Sequence, residues 1–473
     1  MVLIRLHLLA LKWLLCVMLL LVFPGVGVSQ FIVETLPGYS GSLPFKLETG
    51  YIGVGDLDEV QHFYYFIESE RDPTTDPLIF WLAGGPGCSG FSALVFEIGP
   101  LSFNYSATKV NLPTLKINPH SWTKVASIIF IDSPVGTGFS YSTTEYGYQS
   151  SDTLSAHHAY TFLQKWLIQH PEYTGNQLYV GANSYSGIIA PILVQHILDG
   201  NDKNPGAPIK IKGYILGNPY TSYDNDINSR ISYAHRTDLI SDELNESAEE
   251  YCKGDYVQID SGNTECLEVV KAISDCTRYL YMQHILEPTC TGLNQELDIT
   301  RWDQRAFQED INFLRLQSDP KKLWCRAENY YVASLWINNK ASQDALNVRE
   351  GTVTEWIRCR KDLSYTSNVQ SSITYHKNLT SKPLRALIYS GDQDLIVPYI
   401  GTLKWIKTLG LAVDEEWRPW FKDGQVAGYA SKYANNKYSL TFTTIKGGGH
   451  TAPEYKPGES QTMINKWLSY YPL

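Results

Sequence analysis

Tyr179-Val180-Gly181-Ala182-Asn183-Ser184-Tyr185-Ser186-Gly187-Ile188-Ile189 carries a short apolar strand directly into an apolar helix, with a serine at the junction. A turn this sharp strains the serine backbone and crowds the residues two before and two after it, so both must be small. Here they are Ala182 and Ser186. Ala182 stands where glycine is usual, and the turn should accept its methyl with more crowding. The geometry is that of a nucleophile elbow, which lifts a serine hydroxyl above the C-terminal end of a sheet strand.

Working outward, short β-rich apolar runs recur between helical stretches: His62 to Ile67, Leu78 to Leu82, Ser127 to Ile131, Gln177 to Val180, Lys212 to Leu216, Arg385 to Tyr389 and Ser439 to Ile445. Several are continuous rather than alternating, as expected for strands covered on both faces. The pattern predicts an α/β fold. Between Tyr220 and about Cys325 strand signals nearly vanish, and acidic helical segments such as Ser241 to Tyr251 alternate with five cysteines. That texture predicts a disulfide-tied helical cap insertion. The expected organisation is a targeting segment over 1–29, a first core part over 30–221, the cap over 222–330 and a second core part over 331–473.

Composition narrows the function. The 473 residues carry 39 Lys+Arg against 49 Asp+Glu, a net charge of −10, whereas a nucleic-acid binder needs a basic face. With 43% hydrophobic residues, 32 Tyr and 12 Trp, the chain is far too apolar for disorder. Arg5 and Lys12, the apolar run Trp13 to Val22 and the small residues around Gly27-Val28-Ser29 read as a secretory signal peptide cleaved after Ser29. The run stops at Pro24-Gly25, short of a membrane span, so no anchor is expected after cleavage. Vacuolar and extracellular destinations both fit. Cys88, Cys252, Cys266, Cys276, Cys290, Cys325 and Cys359 would then meet an oxidising compartment, enough for three disulfides and one odd thiol. Sequons at Asn104, Asn245 and Asn378 agree with glycosylation on that route.

A serine becomes nucleophilic when a base takes its proton and an acid orients the base. Two later strands supply both. Arg385 to Tyr389 runs into Ser390-Gly391-Asp392-Gln393-Asp394, and Leu440 to Ile445 runs into Lys446-Gly447-Gly448-Gly449-His450. Ser184, Asp394 and His450 follow one another in the α/β-hydrolase order, each just past a strand, with Asp392 as a rival acid. Ala83-Gly84-Gly85-Pro86-Gly87-Cys88-Ser89 follows the strand Leu78 to Leu82, and its bare backbone can approach a substrate. The N–H groups of Gly85 and Tyr185 would form the oxyanion hole. No cofactor is expected, since no Gly-Lys-Ser/Thr follows the glycine run. No metal is expected either: His157 and His158 cannot converge on one ion from a helix, and they read as surface residues.

These stretches, with Asp132-Ser133-Pro134-Val135-Gly136-Thr137-Gly138-Phe139-Ser140-Tyr141, resemble the serine carboxypeptidase family over essentially the whole mature chain. The resemblance implies a hydrolase core with a helical cap, the pairings Cys88–Cys359, Cys252–Cys266 and Cys290–Cys325, and Cys276 as the odd thiol. It leaves the reaction open, because the plant branch also holds acyltransferases that use 1-O-β-glucose esters as donors. Carboxypeptidases of the family recognise a free C-terminal carboxylate with an Asn before Gly-Gly-Pro and with two acids sharing a proton. Here Ala83 takes the Asn position beside Gly84, and Asn183 replaces one acid while Glu97 is retained. Losing one hydrogen bond to a charged group costs peptide binding on the order of 1.5–3 kcal/mol, roughly ten- to hundredfold. Asp414-Glu415-Glu416-Trp417-Arg418-Pro419-Trp420 and Gly447 to Glu454 resemble the acyltransferase branch, although that branch too usually has Asp at position 183.

The resulting expectation is an acyltransferase that takes an acyl-glucose donor and a small-molecule hydroxyl or amine acceptor. The alternatives are an acid-pH carboxypeptidase, or a non-catalytic member that supports a related partner subunit.

Overall fold

Leu78-Ile79-Phe80-Trp81-Leu82 is apolar at every position because both faces of that strand are covered. The computed structural model describes residues 30–104, 112–289 and 326–473. The signal segment and the Cys290–Cys325 pairing lie outside the described residues.

Numbered in chain order, the main sheet comprises β1 Phe31–Val33, β2 Leu47–Val54, β3 Val60–Ile67, β4 Leu78–Leu82, β5 Ser127–Ile131 and β6 Tyr141–Ser142. It continues with β7 Leu178–Asn183, β8 Ile211–Gly217, β9 Arg385–Gly391, β10 Ala412–Lys422, β11 Gln425–Ala434 and β12 Ser439–Ile445. The order is β1-β2-β3-β5-β4-β7-β8-β9-β12-β11-β10, with β6 beside β3. The centre, from β5 to β12, is parallel. Both flanks are antiparallel. This is the α/β fold expected.

Alternate residues of the central strands feed two cores. Leu78, Phe80, Leu82, Val180 and Ala182 pack under α1 (Asp152–Gln169) and α2 (Ser186–Lys203). Ile79, Trp81, Tyr179, Leu387 and Tyr389 belong to the opposite core, which includes Trp122, Trp336 and Trp467. Burying one large apolar side chain contributes about 1.5–3 kcal/mol, so these layers hold the strand ends rigid where the functional residues sit.

The insertion is helical: α3 Tyr223–Arg236, α4 Asp242–Cys252 and α5 Thr264–Thr277. Ser241 caps α4 by accepting from Leu244 N–H. A small core of Ile231, Ala234, Ile240, Ala248 and Ile273 joins the three helices, and Cys252–Cys266 ties the end of α4 to α5. The next described helix, α6 Ala327–Ile337, crosses the boundary expected at 330 and packs into the sheet core through Trp336, which stacks on Phe91. No described helix is long and apolar enough to cross a membrane.

Three differences from the sequence reading stand out. β7 runs on to Asn183, because Ala182 pairs with both Leu82 and Leu216. β2 and the β10–β11 hairpin are additional strands. The hairpin is largely exposed on β10, so charged residues at 414–416 are tolerated in a strand.

Candidate active site

Ser184 follows the last residue of β7 with φ 52°, the left-handed region that a side chain adopts only when its surroundings enforce it. They do so here. Ser184 N–H donates to Gly217 O at 3.0 Å, and Ser184 O accepts from Tyr220 N–H and Gly187 N–H at 2.9 Å each. Ser186 Oγ–H donates to Ala83 O at 2.5 Å, which pins the elbow to the glycine loop after β4. Ala182 is fully buried within β7, so its methyl is accommodated without opening the turn.

The ends of β9 and β12 bring the two partners. His450 Nε2 lies 2.7 Å from Ser184 Oγ, and His450 Nδ1 lies 2.8 Å from Asp394 Oδ2. With its proton on Nδ1 facing the carboxylate, the imidazole leaves Nε2 bare toward the serine. Asp394 is fully buried, and Ile396 N–H and Val397 N–H also donate to it. Asn218, at the end of β8, completes the set: its Nδ2 donates to Asp394 Oδ2 at 2.8 Å and its Oδ1 accepts from Gly391 N–H at 3.1 Å. Sequence reasoning missed Asn218. Its signal was an Asn between a strand end and a proline, and its φ is 41°. Asp392, the rival acid, instead accepts from Gly447 N–H at 2.7 Å and so braces the histidine loop.

The glycine loop touches the serine. A Cβ on Gly84 would come within 2.6 Å of Ser184 Cβ, and Gly85 has φ 120°. The loop is fixed from behind by Cys88–Cys359 and by buried Asp132, which accepts from Ser89 Oγ and Gly90 N–H on one side and from Phe139 N–H on the other. Burial pushes the Asp132 carboxyl up to about 6 against those three donors. Gly85 follows Gly84 in this loop, and Tyr185, the residue after Ser184, is the N-cap of α2. The Tyr185 hydroxyl donates to Asp152 at 2.8 Å and its ring stacks on Tyr220, which anchors that residue. A narrow cleft beside the serine is lined by Ala83, Gly84, Pro86, Pro134, Tyr185 and Tyr365. A larger open cavity of about 450 Å³ lies between α3 and the helix Tyr399–Thr408, lined in part by Asn228, Lys253 and Lys404; no triad residue borders it.

Behind the elbow, Asn183 Nδ2 donates to Glu97 at 2.9 Å, and both side chains are buried. Burial, reinforced by the nearby charge of Glu454 and opposed by Arg358 and the Asn183 bond, pushes the Glu97 carboxyl up to about 8. Glu97 is therefore a neutral acid near pH 6. Glu454 is held by Arg326 at 3.1 Å, by the Tyr330 hydroxyl at 3.1 Å and by Thr451 Oγ1 at 2.8 Å.

Other expected residues fall as follows. Cys88–Cys359 and Cys252–Cys266 are formed, and Cys276 is an exposed thiol. The surface reading of the histidine pair needs correction. His157 is exposed, but His158 is 6% exposed, edge-on to the buried His62 ring, and burial pushes it down to about 4. The reason is helix phase: His158 lies on the sheet-facing side of α1 with Ala159 and Phe162. Asn378 is exposed. Asn245 is 9% exposed and its Nδ2 donates to Glu249, so a glycan there would have to displace that contact.

Comparison with known proteins agrees with this architecture. The serine carboxypeptidase family profile matches residues 37–470. Serine carboxypeptidase-like 16 of Arabidopsis thaliana is 45% identical over 96% of this chain and 98% of its own length. Serine carboxypeptidase-like 2 of the same plant is 44% identical over 94% of each chain. Among solved structures, Kex1(delta)p, a prohormone-processing carboxypeptidase from Saccharomyces cerevisiae, superposes with a TM-score of 0.72 at 20% identity, covering 95% of this chain and 97% of that one.

Proposed function

The chain belongs to the serine carboxypeptidase family, and from that premise we propose that it is an acyltransferase working through an acyl-enzyme on Ser184. His450 Nε2 takes the Ser184 proton as Oγ attacks the ester carbonyl of an acyl-glucose. The oxyanion that forms is met by the N–H groups of Gly85 and Tyr185. As the bond to the glucose oxygen breaks, that oxygen takes the proton from His450, glucose leaves, and the acyl group stays on Ser184. An acceptor hydroxyl or amine then gives a proton to His450 and attacks the acyl carbon, and Ser184 recovers its proton as its bond to the acyl group breaks. Asp394 stabilises the imidazolium at each stage, and Asn218 keeps Asp394 in place.

The single observation that carries transfer over peptide hydrolysis is the clamp. Ala83 offers no side-chain hydrogen bond where the family's carboxypeptidases have Asn, and Asn183 gives Glu97 a neutral partner in place of a second acid. That arrangement supports recognition of an uncharged leaving group better than recognition of a free carboxylate. Transfer outruns hydrolysis where the acceptor is positioned against the acyl carbon and water is not. The cap borders this site and is where such an acceptor would be held. Passage through the secretory pathway is part of the same proposal.

One observation favours a second reading. Glu97 is buried in a setting that pushes its carboxyl up to about 8, which favours the protonated form at acidic pH, and a carboxypeptidase site also uses a protonated acid against the substrate carboxylate. The non-catalytic reading has less support, since Ser184, His450 and Asp394 keep hydrogen-bonding distances despite Ala182 and Asn183. Mass spectrometry of the mature protein with benzoyl- or cinnamoyl-glucose, alongside assays with a blocked dipeptide, separates the three. An acyl adduct on Ser184 that passes to an added alcohol supports the transferase. Dipeptide hydrolysis alone supports the carboxypeptidase, and neither supports the non-catalytic role.

A further inference from the structure

The cap chain returns toward the core through Tyr281-Met282-Gln283-His284-Ile285, and this segment bonds both loops that carry the triad partners. On the acid loop, Leu395 N–H donates to Met282 O at 2.9 Å and Ile285 N–H donates to Gln393 O at 3.0 Å. On the base loop, His450 N–H itself donates to Gln283 O at 2.8 Å. The approach is so close that a Cβ on Gly449 would lie 2.4 Å from Gln283 O.

The side chain of His284 adds to this grip. It is 7% exposed and stacked on Tyr455 at 4.7 Å between ring centroids. Leu286 N–H donates to its Nδ1 at 3.3 Å, so the ring proton sits on Nε2, which faces Gly447 O at 3.2 Å. The opposite end of Gly447, its N–H, is held by Asp392 at 2.7 Å, and its φ is 71°. Gly447 thus has each polar backbone atom bound by a different side chain, three residues before His450.

We infer that residues 281–285 form a positioning strap for the triad, and that His284 is its positioning residue, fixing the Gly447 to His450 loop so that Nε2 of His450 stays on Ser184. The inference rests on reading Ser184, Asp394 and His450 as the triad, and not on which acyl donor is used. It makes the cap a mechanical part of the catalytic centre as well as a cover.

Two variants separate the donor from the ring. His284→Phe keeps the stack on Tyr455 and removes the donor, whereas His284→Gln places an amide N–H near the Nε2 position. The probe is a fluorophosphonate, which reads only acylation of Ser184 and is indifferent to the natural substrate. The expected result is labelling slowed about tenfold in His284→Phe and restored to within about threefold of wild type in His284→Gln. With an ester substrate, kcat should fall while KM stays within about twofold. Wild-type labelling in folded His284→Phe would overturn the inference, as would equal losses in both variants. Hydrogen exchange on the unmodified protein is a second test: slow exchange at Leu395 and His450 N–H is expected, and rapid exchange at both would overturn the strap. Failure of acyl transfer with normal labelling would instead count against the transferase reading alone.

Discussion

Asn218 Nδ2 donates to the same Oδ2 of Asp394 that faces His450 Nδ1, each at 2.8 Å. The carboxylate is thus oriented from the neighbouring strand as well as from its own loop. Asn218→Gly keeps the left-handed backbone and removes both side-chain bonds, to Asp394 and from Gly391 N–H, so fluorophosphonate labelling of Ser184 should slow at least about tenfold, the worth of the one hydrogen bond to a charged group. Asn218→Ala adds backbone strain and should also lower the thermal midpoint. An unchanged labelling rate in Asn218→Gly would remove Asn218 from the triad's support.

Gly84→Ala tests the contact between the glycine loop and the nucleophile. The added methyl would sit 2.6 Å from Ser184 Cβ and 3.1 Å from Asn183 O, where backbone rather than a flexible side-chain tip must move. Labelling should fall at least about tenfold, since small displacements at a reacting centre are expensive. The circular dichroism spectrum should remain that of the folded chain.

Glu97 makes stability depend on pH with a definite sign. Its carboxyl is raised from 4.5 to about 8 in the fold, so the folded chain holds a proton that the unfolded chain has lost. Its contribution is fully present below about pH 4.5 and is lost as pH rises toward 8. The thermal midpoint of Glu97→Gln should therefore fall less than that of wild type between pH 5 and 8, comparing midpoints at the two ends. Parallel curves would show that Glu97 ionises freely in the folded protein.

Restoring the clamp tests the proposal that its altered residues disfavour peptide substrates. Ala83→Asn combined with Asn183→Asp returns the side-chain donor and the second acid that the family's carboxypeptidases use. Hydrolysis of a blocked dipeptide at acidic pH should rise roughly ten- to hundredfold in the double variant. A wild-type rate already equal to that of the variant would contradict the account of the clamp.

Ser184, Asp394 and His450 could be picked out in the sequence because each follows a β-rich run that forms a strand of the parallel centre. The runs Leu78–Leu82, Ser127–Ile131 and Ser439–Ile445 match strands β4, β5 and β12 residue for residue. Residues defined by tertiary contact were less visible. Asn218 looks like a turn residue until β8 and β9 bring it beside Asp394. His158 looks exposed beside His157 until α1 turns it onto His62. The β10–β11 hairpin carries an acidic run that reads as loop, though Asp423-Gly424 at its tip is a hairpin turn signal that could have revealed it. The Glu97 environment was hidden for the same reason, because Glu454 reaches it only once β12 and the helix Ala452–Tyr455 are in place.

Intact-protein mass spectrometry with benzoyl-glucose asks whether Ser184 carries an acyl group from a glucose ester to an acceptor. A benzoyl ester is expected on Ser184, absent from Ser184→Ala and passing into a benzoylated product when an acceptor alcohol is added. A folded protein that labels with fluorophosphonate, takes no acyl group from the glucose ester and releases residues from a blocked dipeptide would contradict it.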